Sequence, residues 1–135
     1  CQLEPQLLAL SAPHLTKADL QDLHALSREY SRALEAGEVQ RWGELNSRFH
    51  LDLLRHAGRP RALTIVSGLL QDCDRPTRIQ LSTPSDIARA ELEHTQILDL
   101  CEARKVDAAA ELLRVHIEHV GGSLIAIYRG ALAVA

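Results

Sequence analysis

The 135-residue sequence predicts an all-α protein, an antiparallel bundle of six or seven helices. Apolar residues recur at spacings of three and four almost from end to end, which is the period of an amphipathic helix. Aromatic residues make up only 3% of the chain, so the core must consist of Leu, Ile, Val and Ala, and this composition favours helix over sheet. No segment of useful length shows the alternation of a half-buried strand.

The first two helices are marked by N-terminal signals. Residues 5–12 are typical of a short helix with Pro5 at its first position, where a missing N–H does no harm. Thr16 and Asp19 have the spacing of a capping box that opens a second helix, and Gly37 is suited to end it. The apolar face of this second helix consists of Leu20, Leu23, Leu26, Tyr30, Ala33 and Leu34.

A third helix is predicted over residues 38–57 and a fourth over residues 60–81, with Gly58 and Pro60 between them. Pro76 lies inside the fourth pattern. Because proline removes a backbone donor and crowds the preceding turn, we expect a kink or an early end near Arg75. The apolar stripes are Val39, Trp42, Leu45, Phe49 and Leu53 in the third helix, and Leu63, Val66, Leu69, Leu70 and Cys73 in the fourth.

Two further helices complete the predicted bundle. Thr83, Pro84 and Asp86 supply a cap, a first-position proline and an acid in the first turn of a helix over residues 84–103. Asp107 is expected to cap a last helix over residues 108–130, which Gly121-Gly122 weakens by roughly 1 kcal/mol per Gly relative to Ala. The inward-facing residues are Ile87, Ala90, His94, Ile97, Leu98 and Cys101, then Leu112, Leu113, His116, Val120 and Leu124.

Composition narrows the class of protein. The length suggests one domain over residues 1–135, and the net charge of −3 without a Lys/Arg run argues against this segment binding nucleic acid by itself. No apolar stretch approaches the roughly 18 residues of a membrane span, and no secretory signal is visible. Three cysteines make a poor disulfide framework, which favours a reducing cytoplasm. The start at Cys1, without an initiator Met, is compatible with a fragment of a longer protein.

Three histidines lie on the apolar stripes of three different predicted helices. They are His50, His94 and His116, and Asn46 precedes His50 by one helical turn. A polar group on a core-facing stripe is costly without a partner, bundles build core sites from facing helices, and imidazole suits Zn, Ni, Cu and Fe. The spacing allows a shared metal ion or bound anion. It equally allows histidines that are satisfied separately inside a structural core.

Other polar residues have less distinct patterns. His119 is expected to flank the site, and Arg75 and Arg78 are the best inward-reaching cations for a carboxylate ligand, although solvated surface arginines fit as well. Glu93 adjoins His94, but neighbouring helical residues point in different directions, so no acid–base pair is indicated. Motifs of serine hydrolases, phosphate-binding loops and His-Glu-x-x-His metalloproteases are absent.

Four segments of the chain carry a family resemblance through their order and spacing. They are Leu3-Glu4-Pro5 before an Ala/Leu-rich helix, Asn46 with Phe49-His50, Glu93-His94-Thr95-Gln96-Ile97-Leu98, and Val106-Asp107-Ala108-Ala109-Ala110 running to Val115-His116-Ile117. Together they resemble the FCD domain, the C-terminal effector-binding domain of the FadR subfamily of GntR transcriptional regulators. The resemblance covers essentially the whole chain.

The resemblance implies a homodimeric bundle that follows an N-terminal winged helix-turn-helix domain, absent from this chain, through which alone DNA would be bound. It implies a divalent metal on His50, His94 and His116, with Asn46 where the family usually has Asp, and a small carboxylate metabolite against the metal. Three imidazoles can still hold Zn²⁺ or Ni²⁺ with open positions, but an amide is a poorer ligand than a carboxylate. Some relatives bind effectors without metal, so a metal-free effector domain stays open.

Three functions follow as hypotheses. The leading one is a cytoplasmic, non-enzymatic sensor domain that binds a small organic acid and changes DNA binding by the missing domain. The second is a helical metalloenzyme that uses a metal-bound water, for which no general base is evident. The third is a structural interaction domain whose histidines are satisfied within the core.

Overall fold

The computed structural model describes residues 2–81 and 83–133, without the side chains of residues 74, 75, 80, 128 and 130–133. Over these residues the protein has seven α-helices and no strand, which confirms the predicted all-α class. The helices are α1 (Leu3–Ser11), α2 (Lys17–Glu35), α3 (Val39–Leu54), α4 (Pro60–Asp72), α5 (Asp74–Gln80), α6 (Pro84–Glu102) and α7 (Val106–Ala133), and a 3₁₀ turn (Ala12–His14) follows α1.

The capping residues of α2 behave as predicted. The Thr16 hydroxyl accepts a hydrogen bond from the Asp19 N–H at 3.2 Å, and the Asp19 carboxylate accepts one from the Thr16 N–H at 2.8 Å. At the other end Gly37 has a φ of +66°, and the Glu38 N–H donates to the Ala33 carbonyl at 2.9 Å. This 6→1 bond with a left-handed glycine is a Schellman motif, so α2 is closed at both ends.

The break between α4 and α5 lies at Cys73, two residues before the expected position at Arg75. A proline ring crowds the carbonyl of the residue four positions earlier, which for Pro76 is Asp72, the last residue of α4. The new helix begins at Asp74, so Pro76 occupies its first turn, where no donor is needed. The proline therefore divides one predicted helix into two.

Two helix starts differ from prediction. The first helix begins at Leu3 rather than at Pro5, which places Pro5 in the first turn but not at its first position. The last helix begins at Val106, so Asp107 lies inside its first turn instead of capping it. A carboxylate in that position still interacts favourably with the helix dipole, so the acidic residue supports the helix start without being its cap.

The central helix of the bundle is α3, which packs against α1, α2, α4 and α5. Helix α6 packs against α2 and α7, and α1 lies along α7. The interior is filled mainly by leucine, with Leu8, Phe49, Leu53, Ile97 and Leu113 fully buried. The predicted apolar stripe of the fourth helix is the least buried one, because only Val66 and Leu70 of this stripe are buried. Among the described residues, no helix has both the length and the hydropathy that crossing a membrane requires.

The capping box of α2 predicts an acid-sensitive contribution to stability. Hydrogen bonds from the backbone and side chain of Thr16, then from His56, and the charge of Arg55 lower the pKa of Asp19 to about 2 from its usual 3.8. A depressed carboxyl pKa stabilises the fold above the unfolded value, so this contribution is complete above about pH 4 and is lost as the pH falls towards 2.

We therefore expect Asp19→Asn to lower the free energy of unfolding at pH 7 and to flatten the loss of stability between pH 4 and pH 2. Urea unfolding at a series of pH values measures both effects. The matched control is Asp99→Asn, which changes an exposed carboxylate of α6. Equal pH profiles for Asp19→Asn and the wild type would contradict the prediction.

Candidate metal centre

The three histidines predicted to share a site meet in the interior of the bundle. His50 of α3, His94 of α6 and His116 of α7 are 3%, 0% and 3% exposed. One ring nitrogen of each lies within 4.8 Å of the corresponding nitrogens of the other two, and the Nε2 atoms of His94 and His116 are 3.3 Å apart. The bundle therefore brings together residues that are 44 and 22 positions apart in sequence.

Two buried glutamates hold two of these rings from behind. His50 Nδ1 donates to Glu4 Oε2 of α1 at 2.7 Å, and His116 Nδ1 donates to Glu93 Oε2 of α6 at 2.7 Å. Both carboxylates are almost fully buried. The other oxygen of Glu93 accepts from Nδ1 of the half-exposed His119 at 2.6 Å, so His119 flanks the cluster, as expected.

Neighbouring residues of a helix point in different directions, so no acid–base pair of Glu93 with the adjacent His94 was expected. Among the described residues, the Glu93 carboxylate has no hydrogen bond to His94. It reaches His116 instead, because α7 packs directly against α6 and brings that ring to the neighbouring side of the helix. The partner of Glu93 is therefore a histidine 23 residues away, which sequence adjacency does not indicate.

These carboxylates determine which nitrogen of each ring carries the proton. A neutral imidazole has one N–H and one lone pair, so donation from Nδ1 leaves the lone pair on Nε2. In His116 this Nε2 faces His94, and in His50 it is buried without a hydrogen-bond partner among the described residues. Both rings thus present a lone pair to the interior, which is the form that binds a metal.

His94 lacks a carboxylate partner and is held by ring contacts. Its imidazole stacks on Phe49, with ring centroids 4.2 Å apart and an interplanar angle of 16°, and Tyr30 lies nearby at 5.6 Å. Its Nδ1 is also buried without a hydrogen-bond partner among the described residues. Complete burial, followed by repulsion from His116 and His50, lowers the pKa of His94 well below its ordinary value and favours the neutral ring.

The pKa values of His116, Glu4 and Glu93 are also lowered, but for different physical reasons. Burial lowers the pKa of His116, and the hydrogen bond to Glu93 only partly offsets this. Burial alone would raise the pKa values of Glu4 and Glu93, but the hydrogen bonds and charges of their histidine partners hold both below the usual value. Both carboxylates are therefore ionised at neutral pH, and each lies buried beside the cluster.

This arrangement fits a divalent cation. Two nitrogens that each lie about 2.0–2.1 Å from one tetrahedral zinc ion are about 3.3 Å apart, which is the separation of the His94 and His116 Nε2 atoms. The wider separations of the cluster require small ring movements to close. Buried charges are normally paired or coordinate metals, and two buried carboxylates match a double positive charge. Metal-binding histidines usually donate their other N–H to such a carboxylate.

A small cavity adjoins the cluster. Its volume is about 110 Å³, and its polar lining includes Asn46, Glu4, His50 and His116. The other lining residues are Leu69, Leu70, Cys73, Thr77, Ile117 and Val120. A more open cleft of about 870 Å³ lies at the surface near the end of α2, but it is lined by charged residues and contains none of the histidines. The cavity beside the cluster is therefore the candidate binding site.

The fold and this site agree with a known family. A family model described as the FCD domain matches residues 1–119 of the chain. The chain belongs to the FCD domain family. FCD domains are the effector-binding part of GntR-family transcriptional regulators. No curated protein matches the sequence.

Two solved structures are similar to this FCD domain. One is E. coli McbR/YncC, with a TM-score of 0.77 and 18% identity over 95% of this chain, a level that shows a shared fold only. The other is a GntR-family transcriptional regulator from Pseudomonas syringae pv. tomato str. DC3000, with a TM-score of 0.76 and 27% identity over 97% of this chain. The FCD chain spans 63% and 54% of the lengths of these two structures.

Of the two predicted carboxylate-binding arginines, the structure describes the side chain of Arg78. Arg78 is half-buried on α5, and its Nη1 donates to Gln40 Oε1 at 2.5 Å. It does not belong to the described lining of the cavity. The side chain of Arg75 lies outside the described part of the chain. A contact between either arginine and an effector therefore stays a prediction.

Glu4 is the site residue that sequence reasoning missed, although a signal was present. The buried face of α1 consists of Glu4, Leu7, Leu8 and Ser11, which have the spacing i, i+3, i+4 and i+7. A glutamate on this apolar stripe raises the same question as a histidine there, namely which partner satisfies it. Its partner is His50, 46 residues further along the chain.

The tautomer assignment is testable in the metal-free domain. We expect the ring proton of His116 on Nδ1, and we expect Glu93→Ala to remove this preference because the acceptor is lost. Long-range ¹H–¹⁵N spectra of the histidine rings distinguish the two tautomers. The control is Glu118→Ala, which removes an exposed carboxylate from α7, the helix of His116. A wild-type His116 protonated on Nε2 would contradict the geometry.

Proposed function

We propose that this FCD domain is the sensor of a cytoplasmic GntR-type regulator, in which it binds a small organic acid beside a divalent cation. DNA would be bound by a winged helix-turn-helix domain that precedes residue 1, and two copies of the chain would form a dimer. The observation that carries the proposal is the meeting of three buried imidazoles, two of which are held by buried carboxylates and also line a cavity.

The cation would be held by His50, His94 and His116, with Asn46 at the edge of the same cavity. Bound there, a divalent ion such as zinc or nickel supplies positive charge and open coordination positions. Glu4 and Glu93 orient two of the rings and balance the buried charge from behind. The amide of Asn46 is a neutral metal ligand, so it leaves more of the cation's positive charge available to an anionic effector than an Asp carboxylate would.

The shape of the cavity supports a small effector. A volume of about 110 Å³ is well below the roughly 300–1,000 Å³ of sites for drug-sized ligands. Leucine, isoleucine and valine side chains line it together with the polar groups of Asn46, His50 and His116. A short organic acid can place its carboxylate at the polar groups and its carbon chain against the apolar side chains.

The enzyme hypothesis finds no support in the site geometry. A hydrolytic centre needs a general base beside the reacting water. The two carboxylates of the site each accept hydrogen bonds from histidines, a role that orients the rings rather than activating a water. We therefore propose that the domain is not an enzyme, in keeping with a family and structural neighbours that are transcriptional regulators.

Regulation would follow from differential affinity. An effector can shift the arrangement of a dimer only if it binds one arrangement better than the other. The site is built by α1, α3, α6 and α7, so ligand contacts at its centre act on four helices at once. A shift of these helices would change the spacing of the DNA-binding domains.

The first test concerns the cation. We expect the untagged domain to bind Zn²⁺, His94→Ala to weaken binding on the order of 100-fold, and Asn46→Asp to strengthen it because a carboxylate is added. Isothermal titration measures the affinities, and circular dichroism verifies the fold. The control is His24→Ala, since His24 pairs with Glu102 outside the cluster. A wild type that binds no zinc would contradict the cation site, and the metal-free effector domain would then be the alternative to test.

The second test concerns the effector. In the regulator that contains this domain, we expect a short organic acid to change operator affinity by about 5- to 150-fold, the usual range of allosteric coupling. Gel-shift titrations at fixed salt, with a panel of acids, measure this change. His50→Gln should abolish the response to the acid, whereas His24→Ala should preserve it. A panel without any response would reject the sensor proposal for this ligand class.

A further inference from the structure

The short helix α1 is attached to α3 at both ends. Near its start, Glu4 accepts the 2.7 Å hydrogen bond from His50 of α3. At its end, the Ser11 hydroxyl donates to the carbonyl of Leu53 at 2.8 Å and accepts from the His56 N–H at 3.1 Å. One attachment therefore lies at the histidine cluster, and the other lies at the opposite end of α1, beside the C-terminus of α3.

The first turn of α1 has few other polar contacts. Its N-cap residue, Gln2, makes no capping hydrogen bond through its side chain. Leu7 and Leu8 bury the middle of the helix. Among the described side chains, Glu4 is thus the one that connects the first turn to the polar interior. Because its carboxylate is buried, separating it from His50 would leave an unpaired charge in the bundle.

We infer that Glu4 is a positioning residue for His50, and that their contact couples cation binding at the three histidines to the docking of α1 on α3. This rests on the proposed function, because it assumes that the cluster binds a cation. The hydrogen bond fixes the His50 proton on Nδ1 and directs the Nε2 lone pair into the cluster. A ring that binds a cation through Nε2 is in turn a stronger donor from Nδ1, so the two contacts strengthen each other.

Thermodynamic linkage makes this coupling quantitative. If the loss of the Glu4 contact weakens cation binding by a certain factor, a saturating cation must suppress the opening of α1 by the same factor. Carboxylate partners of metal-binding histidines typically contribute 10- to 100-fold to affinity. Opening of α1 should therefore become 10- to 100-fold rarer at saturating zinc.

The position of α1 gives this coupling a regulatory meaning. In the proposed regulator, the DNA-binding domain would lie on the N-terminal side of α1 along the chain. The helix that leads to that domain would then be held to the sensor site by a contact that strengthens when the site is occupied. Glu93 makes the same kind of bond to His116, but from α6, and so has no direct connection to α1.

Amide hydrogen exchange of the domain, with and without saturating Zn²⁺, tests the inference. The amides of Leu7 and Leu8 bond to the carbonyls of the first turn and report its opening. We expect zinc to slow their exchange 10- to 100-fold in the wild type. In Glu4→Gln the ratio of the exchange rates without and with zinc should fall towards one. The factor by which this ratio falls should equal the factor by which zinc affinity falls in the titration.

Two matched variants separate positioning from simple destabilisation. Glu93→Gln should weaken zinc comparably but keep the slowing of α1 once zinc is saturating. Ser11→Ala should make α1 open more readily with and without zinc and leave the zinc-dependent factor unchanged. If Glu4→Gln does not fold, the zinc-dependent change of exchange in Ser11→Ala is compared with that in the wild type instead.

The outcomes are distinguishable. Zinc binding without slower α1 exchange, or equal slowing in the wild type and Glu4→Gln, would overturn the coupling and leave the sensor site intact. In Ser11→Ala, loss of the zinc-dependent factor would also overturn it. If the wild type does not bind zinc at all, the proposed cation site fails and the coupling fails with it.

Discussion

The arrangement of the bundle depends on the pairing of buried imidazoles with buried carboxylates. Three polar rings inside a leucine core would be costly without partners. Glu4 and Glu93 satisfy Nδ1 of His50 and His116, and the same hydrogen bonds leave the Nε2 lone pairs facing inward. The stabilising contacts thus also define the site, because they leave one ring nitrogen of each histidine within 4.8 Å of the other two.

The position of these contacts explains how a small site can affect a whole domain. Their residues come from α1, α3, α6 and α7, and α3 is itself packed against four other helices. The break at Cys73 adds α5, whose Thr77 lines the cavity. A ligand at this position therefore touches elements from both ends of the chain. Packed helices transmit such contacts as shifts between discrete arrangements rather than as smooth deformation.

Asn46 changes the distribution of charge in the proposed sensor. A carboxylate at this position would neutralise part of the cation directly, whereas the amide does not. Here the buried negative charge lies one hydrogen bond further out, on Glu4 and Glu93. At that distance the carboxylates orient the rings and balance charge without occupying coordination positions. A site of this kind keeps its positive charge accessible to an organic acid.

The sequence by itself determined the helical class, the capping box at Thr16 and Asp19, the closing role of Gly37, and the apolar stripes on which the three histidines lie. These features depend on local periodicity and on hydrogen bonds within a few residues. Tertiary structure alone decided the partners of the histidines, since Glu4 and Glu93 act on rings 46 and 23 residues away. It also decided that the Glu93 side chain faces His116, and that Arg78 bonds to Gln40. Local periodicity shows that a side chain faces inward, but only the packing of distant helices decides which group it meets there.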